Sequence, residues 1–234
     1  MLFRSKTAII TGASRGLGLA LARALADRGY RLVIDARGAP DLERVATELE
    51  AITHVRALPG DIADDWHRSA LIDAAGERVD LVVNNASTLG PSPQPALAGY
   101  PLDALRRVHE VNVIAPLAVA QLALPLMPAG ACLLNVTSDA AVEPYEGWGG
   151  YGSSKAALEQ LTAILASEQP QLRVYSVDPG DMRTQMHQEA FPGEDISDRP
   201  PPEESVPGLV GLIESTLPSG RYRAREVLTA GRLS

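Results

Sequence analysis

A single cysteine, Cys132, stands in a chain of 234 residues, so no disulfide can close within it and the fold must rest on a packed core. Histidine is scarce too, with four residues, and none falls beside cysteine or carboxylates at metal-ligand spacing. Basic charge is short: 21 Lys plus Arg against 29 Asp plus Glu leave a net charge of −8. That balance repels phosphate backbones and anionic bilayers, which argues against a nucleic-acid or membrane partner. Long apolar runs are missing as well. The most lipophilic stretch, residues 111–127, is interrupted by Asn112, Pro116, Gln121 and Pro125, and falls short of the roughly 20 residues that span a bilayer. The first residues run directly into a strand-like pattern rather than a signal peptide. These absences describe a cytoplasmic, metal-free chain.

What is present is apolar material in short blocks. A hydrophobic fraction of 45% is ample for a buried sheet and excludes disorder. Short apolar runs alternate with helical spacing, the pattern of repeated βαβ units. Strands are expected at 8–10, 32–35, 55–58, 81–83, 132–136, 174–177 and 226–228, and helices at 17–28, 42–49, 101–126, 155–167 and 209–216. The fold class is α/β: one Rossmann-like, doubly wound domain over residues 1–234, with about seven parallel strands and helices on both faces. Two segments resist the pattern, 139–150 and 181–207. The second is proline-rich, with Pro200, Pro201 and Pro202 in succession, and is longer than a compact domain's usual connection. It reads as a substrate-binding loop or lid.

Directly after the first strand comes Thr11-Gly12-Ala13-Ser14-Arg15-Gly16-Leu17-Gly18, with a helix opening behind it. Gly12 permits a tight turn, Gly16 lets backbone N–H groups approach a pyrophosphate, and Gly18 lets the helix lie close to the strand. Further on, Tyr151 and Lys155 stand four residues apart on one helical face. A neighbouring ammonium, together with the positive charge of a bound nicotinamide, would bring a phenol towards working pH. Ser138 closes the strand 132–136 at its carboxyl edge, where its hydroxyl can polarise a carbonyl oxygen. Asn112 is a polar residue in an apolar helix and needs a partner.

The turn at residues 11–18, Asn84-Asn85-Ala86, Asn112, Ser138, Tyr151, Lys155 and Pro179-Gly180 together resemble the short-chain dehydrogenase/reductase family, over nearly the whole chain. The resemblance implies a Tyr-Lys-Ser-Asn mechanism of hydride transfer between a nicotinamide and a carbonyl or secondary alcohol. By the same resemblance Asp61 and Ile62 would hold the adenine, and Asn84 and Ala86 would line the adenosine ribose. Ser14, Leu17, Pro179, Gly180, Met182 and Thr184 would complete the cofactor's walls. Lys155 would bind the nicotinamide ribose, and Asn112 would hold a water in a proton relay with Lys155.

Cofactor choice is a contest at the end of the second strand. Asp35 could accept hydrogen bonds from the ribose 2′-hydroxyl of NAD, whereas Arg15 and Arg37 could pair with the 2′-phosphate of NADP. The family's discriminating acid belongs one position later, where this chain has Ala36. NADP(H) is the expected cofactor and NAD(H) the alternative.

The substrate end shows a cluster of the chain's few aromatics. Tyr145 and Trp148 in one loop and Phe191 with Met186 in the other suggest an apolar, aromatic-lined pocket for a small carbonyl or alcohol, while His187 reads as a solvated side chain. Ser87 replaces the glycine usual after Asn-Asn-Ala, and the tail from Gly220 lacks a glycine-rich ending used in tetramer contacts. A homodimer through residues 101–127 and 151–167 is therefore expected over a homotetramer. Two other readings stand beside the carbonyl reductase: a ketoacyl-carrier-protein reductase, and a non-catalytic NADP-binding sensor. The first would want a basic rim, but Asp139, Glu143, Glu146, Glu189, Glu194 and Asp195 outnumber Arg106, Arg107 and Arg183 near the expected entrance. The second has no use for Asn112, Ser138, Tyr151 and Lys155 together.

Overall fold

The computed structural model describes residues 5–230. β1 (Thr7–Ile10), β2 (Arg31–Ala36), β3 (Val55–Pro59), β4 (Leu81–Asn84), β5 (Cys132–Val136), β6 (Arg173–Asp178) and β7 (Gly220–Arg223) form one sheet. Their order is β3-β2-β1-β4-β5-β6-β7, with every pair parallel. The side-chain period of two sorts each strand between two cores. Ile10, Ile34, Val83 and Leu134 point to one face, covered by α1 (Gly16–Ala26), α2 (Ala39–Glu50) and α8 (Val206–Glu214). Ile9, Val33, Val82 and Leu133 point to the other, covered by α3 (Asp65–Ala75) and α5 (Ala115–Ala123). Burial of each such side chain is worth about 1.5–3 kcal/mol, which is why parallel strands read as continuous apolar runs. The chain reverses its winding direction between β1 and β4, and the crevice for a ligand opens there, at the carboxyl ends of the strands.

Several expectations change. Residues 226–228 are not a strand: they lie in α9 (Ala224–Ala230), and the seventh strand precedes them at Gly220–Arg223. Tyr222 packs edge-on against Tyr175 of β6, ring centroids 5.7 Å apart, while Val227 turns into the core beside α8. α3 escaped the periodicity because Arg68 interrupts its buried stripe. That guanidinium is buried and donates to the Ile62 carbonyl at 2.7 Å, while Asp64 caps the helix by accepting from Trp66 N–H.

The helix expected at 101–126 is a composite rod: α4 (Leu102–His109), a π turn at Glu110–Ile114, α5, and a short 3₁₀ turn at Leu124–Leu126. By length and composition the rod Leu102–Leu126 could cross a bilayer, its most apolar 18 residues having a mean hydropathy of 1.3, but half of those residues are buried in the protein, as in a core helix. α6 (Gly149–Glu168) starts six residues before Lys155, so Tyr151 stands in its first turn. The segment 181–207 contains a helix of its own, α7 (Gln185–Ala190).

Candidate active site

α1 lies so close to the end of β1 that a side chain at Gly18 has no room: a Cβ there would sit 2.3 Å from the Gly12 carbonyl oxygen. Gly12 holds the left-handed turn at φ 67°, where only glycine is unstrained. Thr11 fastens this turn to the end of β4. Its hydroxyl accepts from the N–H groups of Asn85 and Ala86, at 3.0 and 2.9 Å, while the Asn85 amide donates to the carbonyls of Thr11 and Gly12. The result is an open cradle at a helix N-terminus, the form that accepts a pyrophosphate.

A cleft of about 1290 Å³ runs from this cradle along the carboxyl edge of the sheet. It is lined by Arg15, Arg37, Asp61, Ile62 and Arg107, by Gly12, Ser14, Gly16, Leu17, Ala86, Pro179, Gly180, Met182 and Thr184, and by Ser138, Tyr145, Trp148, Tyr151, Lys155, Met186 and Phe191. The anticipated cofactor, catalytic and substrate groups therefore share one cavity, with three exceptions. Gly18 serves the helix–strand approach from behind it. Asn84 is turned into the core, donating to the Pro116 carbonyl and to Asn135 Oδ1 at 3.2 and 2.8 Å, and its neighbour Asn85 faces the cleft instead. Asn112 is fully buried and its amide is consumed. Its oxygen accepts from Ser87 Oγ and Thr88 N–H, and its nitrogen donates to Thr88 O and Ser154 Oγ, all within 3.1 Å. Its side chain thus ties the loop after β4 to α6. The π turn places it there, at a local defect of the rod.

Asp35, the alternative reader of the ribose, is likewise engaged. It is 2% exposed, accepts from Gly12 N–H at 2.7 Å and contacts His67 Nε2 at 3.0 Å. The carboxylate holds the glycine turn in place from β2. His67 comes from α3 and could be found only by folding that helix first. Asp61 at the cleft's wall pairs with Arg107. Burial alone would raise its carboxyl, but the Ala63 N–H and Arg107 outweigh that and hold it below its usual value.

The reacting end is more deeply buried. Lys155 is 2% exposed and donates to the Val136 carbonyl at 2.8 Å, with its ammonium 5.5 Å from the centre of the Tyr151 ring. Burial lowers its pKa to about 8, opposed by the charge of Glu159. Tyr151 is raised, chiefly by burial, while the Ser138 and Ser87 hydroxyls pull the other way. The expected lowering of the phenol is therefore not supplied by the chain's own groups, because desolvation of both partners exceeds the help Lys155 can give. Ser138 Oγ donates to Asp139 Oδ1 at 2.9 Å and accepts from Ala140 N–H, so this serine both caps a short turn and lines the cleft. Asp139 Oδ2 accepts from the Tyr145 hydroxyl at 2.9 Å.

Trp148 is the hub of the aromatic wall, with ring centroids 6.3, 5.8 and 5.8 Å from those of Tyr145, Tyr151 and Phe191. His187 is not solvated at its ring edge. It packs on Phe191 at 4.9 Å, and its Nε2 is buried without a hydrogen-bond partner. Of the acids expected at the entrance, Asp139 and Glu146 line the cleft, together with Asp178 and Asp181.

The sequence matches the short chain dehydrogenase family over residues 6–195. It is 36% identical over 173 residues to the rhamnolipids biosynthesis 3-oxoacyl-[acyl-carrier-protein] reductase of Pseudomonas aeruginosa, covering 70% of this chain and 66% of that one. It is 32% identical over 197 residues to a benzil reductase ((S)-benzoin forming) of Saccharomyces cerevisiae, covering 79% and 74%. Among solved structures, a short chain dehydrogenase from Escherichia coli CFT073 complexed with NADPH superposes with a TM-score of 0.85 at 27% identity, over 96% of this chain and 98% of that one.

The burial of Lys155 has a consequence for stability with a definite sign. Its native pKa is lowered to about 8 from 10.5, so between those values the unfolded chain binds the extra proton and stability rises with pH. Burial of Cys132, raised from 9.0 to about 12, acts in the opposite direction above pH 9. The unfolding free energy from urea titrations should therefore climb between pH 8 and 9, by about 1 kcal/mol. Lys155→Met should abolish the climb; a climb that persists in that variant would assign it to another group.

Proposed function

The chain belongs to the short-chain dehydrogenase family, and from that premise we propose that it is an NADP(H)-dependent reductase of small ketones or aldehydes, working reversibly. The observation that carries the reading is the shared cleft: Ser138, Tyr151 and Lys155 line the same cavity as the glycine cradle, Arg15 and Arg37. The cradle fits a dinucleotide, since Gly16 lines the cleft with no side chain of its own and only the Thr184 side chain lies near where one would stand. Arg15 and Arg37 line the same cleft as the cradle and can pair with a 2′-phosphate, while Asp35, also at the cleft, already accepts from Gly12 N–H and contacts His67.

The nicotinamide, when bound, supplies the hydride that reaches the carbonyl carbon. Tyr151 gives its phenolic proton to the carbonyl oxygen, Ser138 stabilises the charge growing on that oxygen, and Lys155 holds the ribose and favours the phenolate left behind. Asn112 keeps the loop carrying Ser87 against α6 and acts through position. Arg15, Arg37 and Arg107 share the cleft's lining with Asp35, Asp41 and Asp61, while Asp139, Glu146, Asp178 and Asp181 outnumber Lys155 and Arg183 in the rest of it. That field suits a neutral substrate and opposes the acidic carrier proteins of ketoacyl reductases. A sensor would have no need of the reacting groups.

NADPH oxidation against a panel of carbonyl compounds tests this. NADPH should bind at least about tenfold tighter than NADH, and Tyr151→Phe should lower turnover on the order of 10²–10⁴ with cofactor binding retained. Equal affinities would return the cofactor to NAD, and wild-type turnover in Tyr151→Phe would sink the mechanism.

Residues 181–207 serve this site as a lid over nicotinamide and substrate. Gly180, at φ 77°, begins the segment; Thr184 caps α7, and α7 reaches across to Arg15 through Gln185 and to Ser92 through the Glu189 carbonyl. Amide exchange across residues 182–191 should slow when NADP and a substrate analogue bind together, with little change at 42–50. Unchanged exchange would make the segment passive.

A second copy of the chain would seat on the rod and α6, where Ile114, Leu122 and Ile164 are exposed. Sedimentation velocity should find a dimer that Ile164→Glu weakens; a monomeric parent protein would refute the interface.

A further inference from the structure

Three successive residues at the end of β5 are each held by a different charged side chain. The Val136 carbonyl accepts from Lys155 Nζ at 2.8 Å. Thr137 Oγ1 donates to Glu159 Oε1 at 2.7 Å. The Ser138 carbonyl accepts from Arg221 at 3.4 Å. Lys155 and Glu159 are one turn apart on α6, and Arg221, from β7, donates to Glu159 Oε1 at 2.9 Å. Arg221 also stands 3.5 Å from Asp178 Oδ2, and Asp178 accepts from Gly180 N–H at 2.9 Å. One guanidinium thus joins the serine's peptide, helix α6 and the turn from which residues 181–207 depart.

A mostly buried ion pair is a weak source of stability, because desolvating both charges offsets most of their attraction. Side chains of Glu159 and Arg221 are 16% and 28% exposed, and an apolar pair of similar volume would fill their place at little cost. What an apolar pair cannot do is hold a hydroxyl and a carbonyl of adjacent residues in fixed directions. The planar fork of arginine does so with several donors at once.

We propose that Glu159 and Arg221 are positioning residues for the reaction: the pair locks the Thr137–Ser138 backbone so that the serine hydroxyl stays at the Tyr151 phenol, and through Asp178 it registers the Pro179–Gly180 turn to the same frame. This rests on the reading that Ser138 and Tyr151 carry the chemistry. Small misplacements of a reacting group are costly, with 1 Å worth up to about 10² in rate, so the pair acts on the chemical step.

The test compares Glu159→Gln, Arg221→Met and Arg221→Lys with the parent enzyme in NADPH-dependent carbonyl reduction, with Tyr151→Phe as the control. Expected are kcat losses of about 10- to 100-fold in Glu159→Gln and Arg221→Met, KM for the carbonyl and Kd for NADPH within about twofold of the parent, and partial recovery in Arg221→Lys. The double variant Glu159→Gln/Arg221→Met should lose no more than the worse single one, as coupled partners do. Parental kcat in both single variants, with Tyr151→Phe inactive, would overturn the proposal alone. So would equal damage to kcat, KM and Tm in Arg221→Met and Arg221→Lys, the mark of a general packing role. An active Tyr151→Phe would instead overturn the catalytic reading beneath it.

Discussion

The close approach of α1 to the end of β1 is the constraint on which the other features depend. With 2.3 Å between a Gly18 Cβ and the Gly12 carbonyl oxygen, any other residue would push the helix N-terminus off the sheet. Thr11 and Asn85 then could not bridge the turn to β4, and Asp35 could not reach Gly12 N–H from β2. Three neighbouring strands are pinned at one point by side chains that meet backbone donors and acceptors. The cradle is therefore rigid before anything binds, which is what electrostatic recognition of a phosphate requires.

Charge gathers around that rigid point. The protein is acidic as a whole, and its cleft is lined by both signs: Arg15, Arg37, Arg107, Lys155 and Arg183 beside Asp35, Asp41, Asp61, Asp139, Glu146, Asp178 and Asp181. Net charge describes solubility and long-range partners, whereas inside the cleft opposite charges are paired locally, as where Asp61 meets Arg107. Burial works on the reacting groups as well. It lowers Lys155 and raises Tyr151, so both neutral forms are favoured by the protein and any shift of the phenol towards ionisation has to come from a positive charge brought into the cleft.

The buried asparagines tie the layers together. Asn84, Asn112 and Asn135 are all buried and each finds partners on two separate elements: Asn135 bridges Asn84 of β4 to Thr162 of α6, and Asn112 joins the loop after β4 to Ser154 of α6. Such networks cost little when every member is satisfied and much when one is lost. They explain why an asparagine that resembles a catalytic group in its sequence context is a tie between two layers.

Local pattern carried a great deal. Six of the seven strands, the glycine turn with its helix, and the pairing of Tyr151 with Lys155 follow from side-chain periodicity and glycine stereochemistry, which act over a few residues and need no partner. The composition settled the absence of an internal disulfide in the same way. The seventh strand, the helix behind Asp64, the fate of Asn84 and the engagement of Asp35 were decided by tertiary structure. β7 exists because Gly220–Arg223 finds β6, residues 226–228 are helical because Val227 finds α8, and Asp35 is engaged because His67 arrives from a helix 32 residues downstream. Long-range hydrogen bonds and packing choose among side-chain roles that are locally equivalent. They do so by removing some groups from solvent and leaving others at the cleft, a choice that no window of sequence contains.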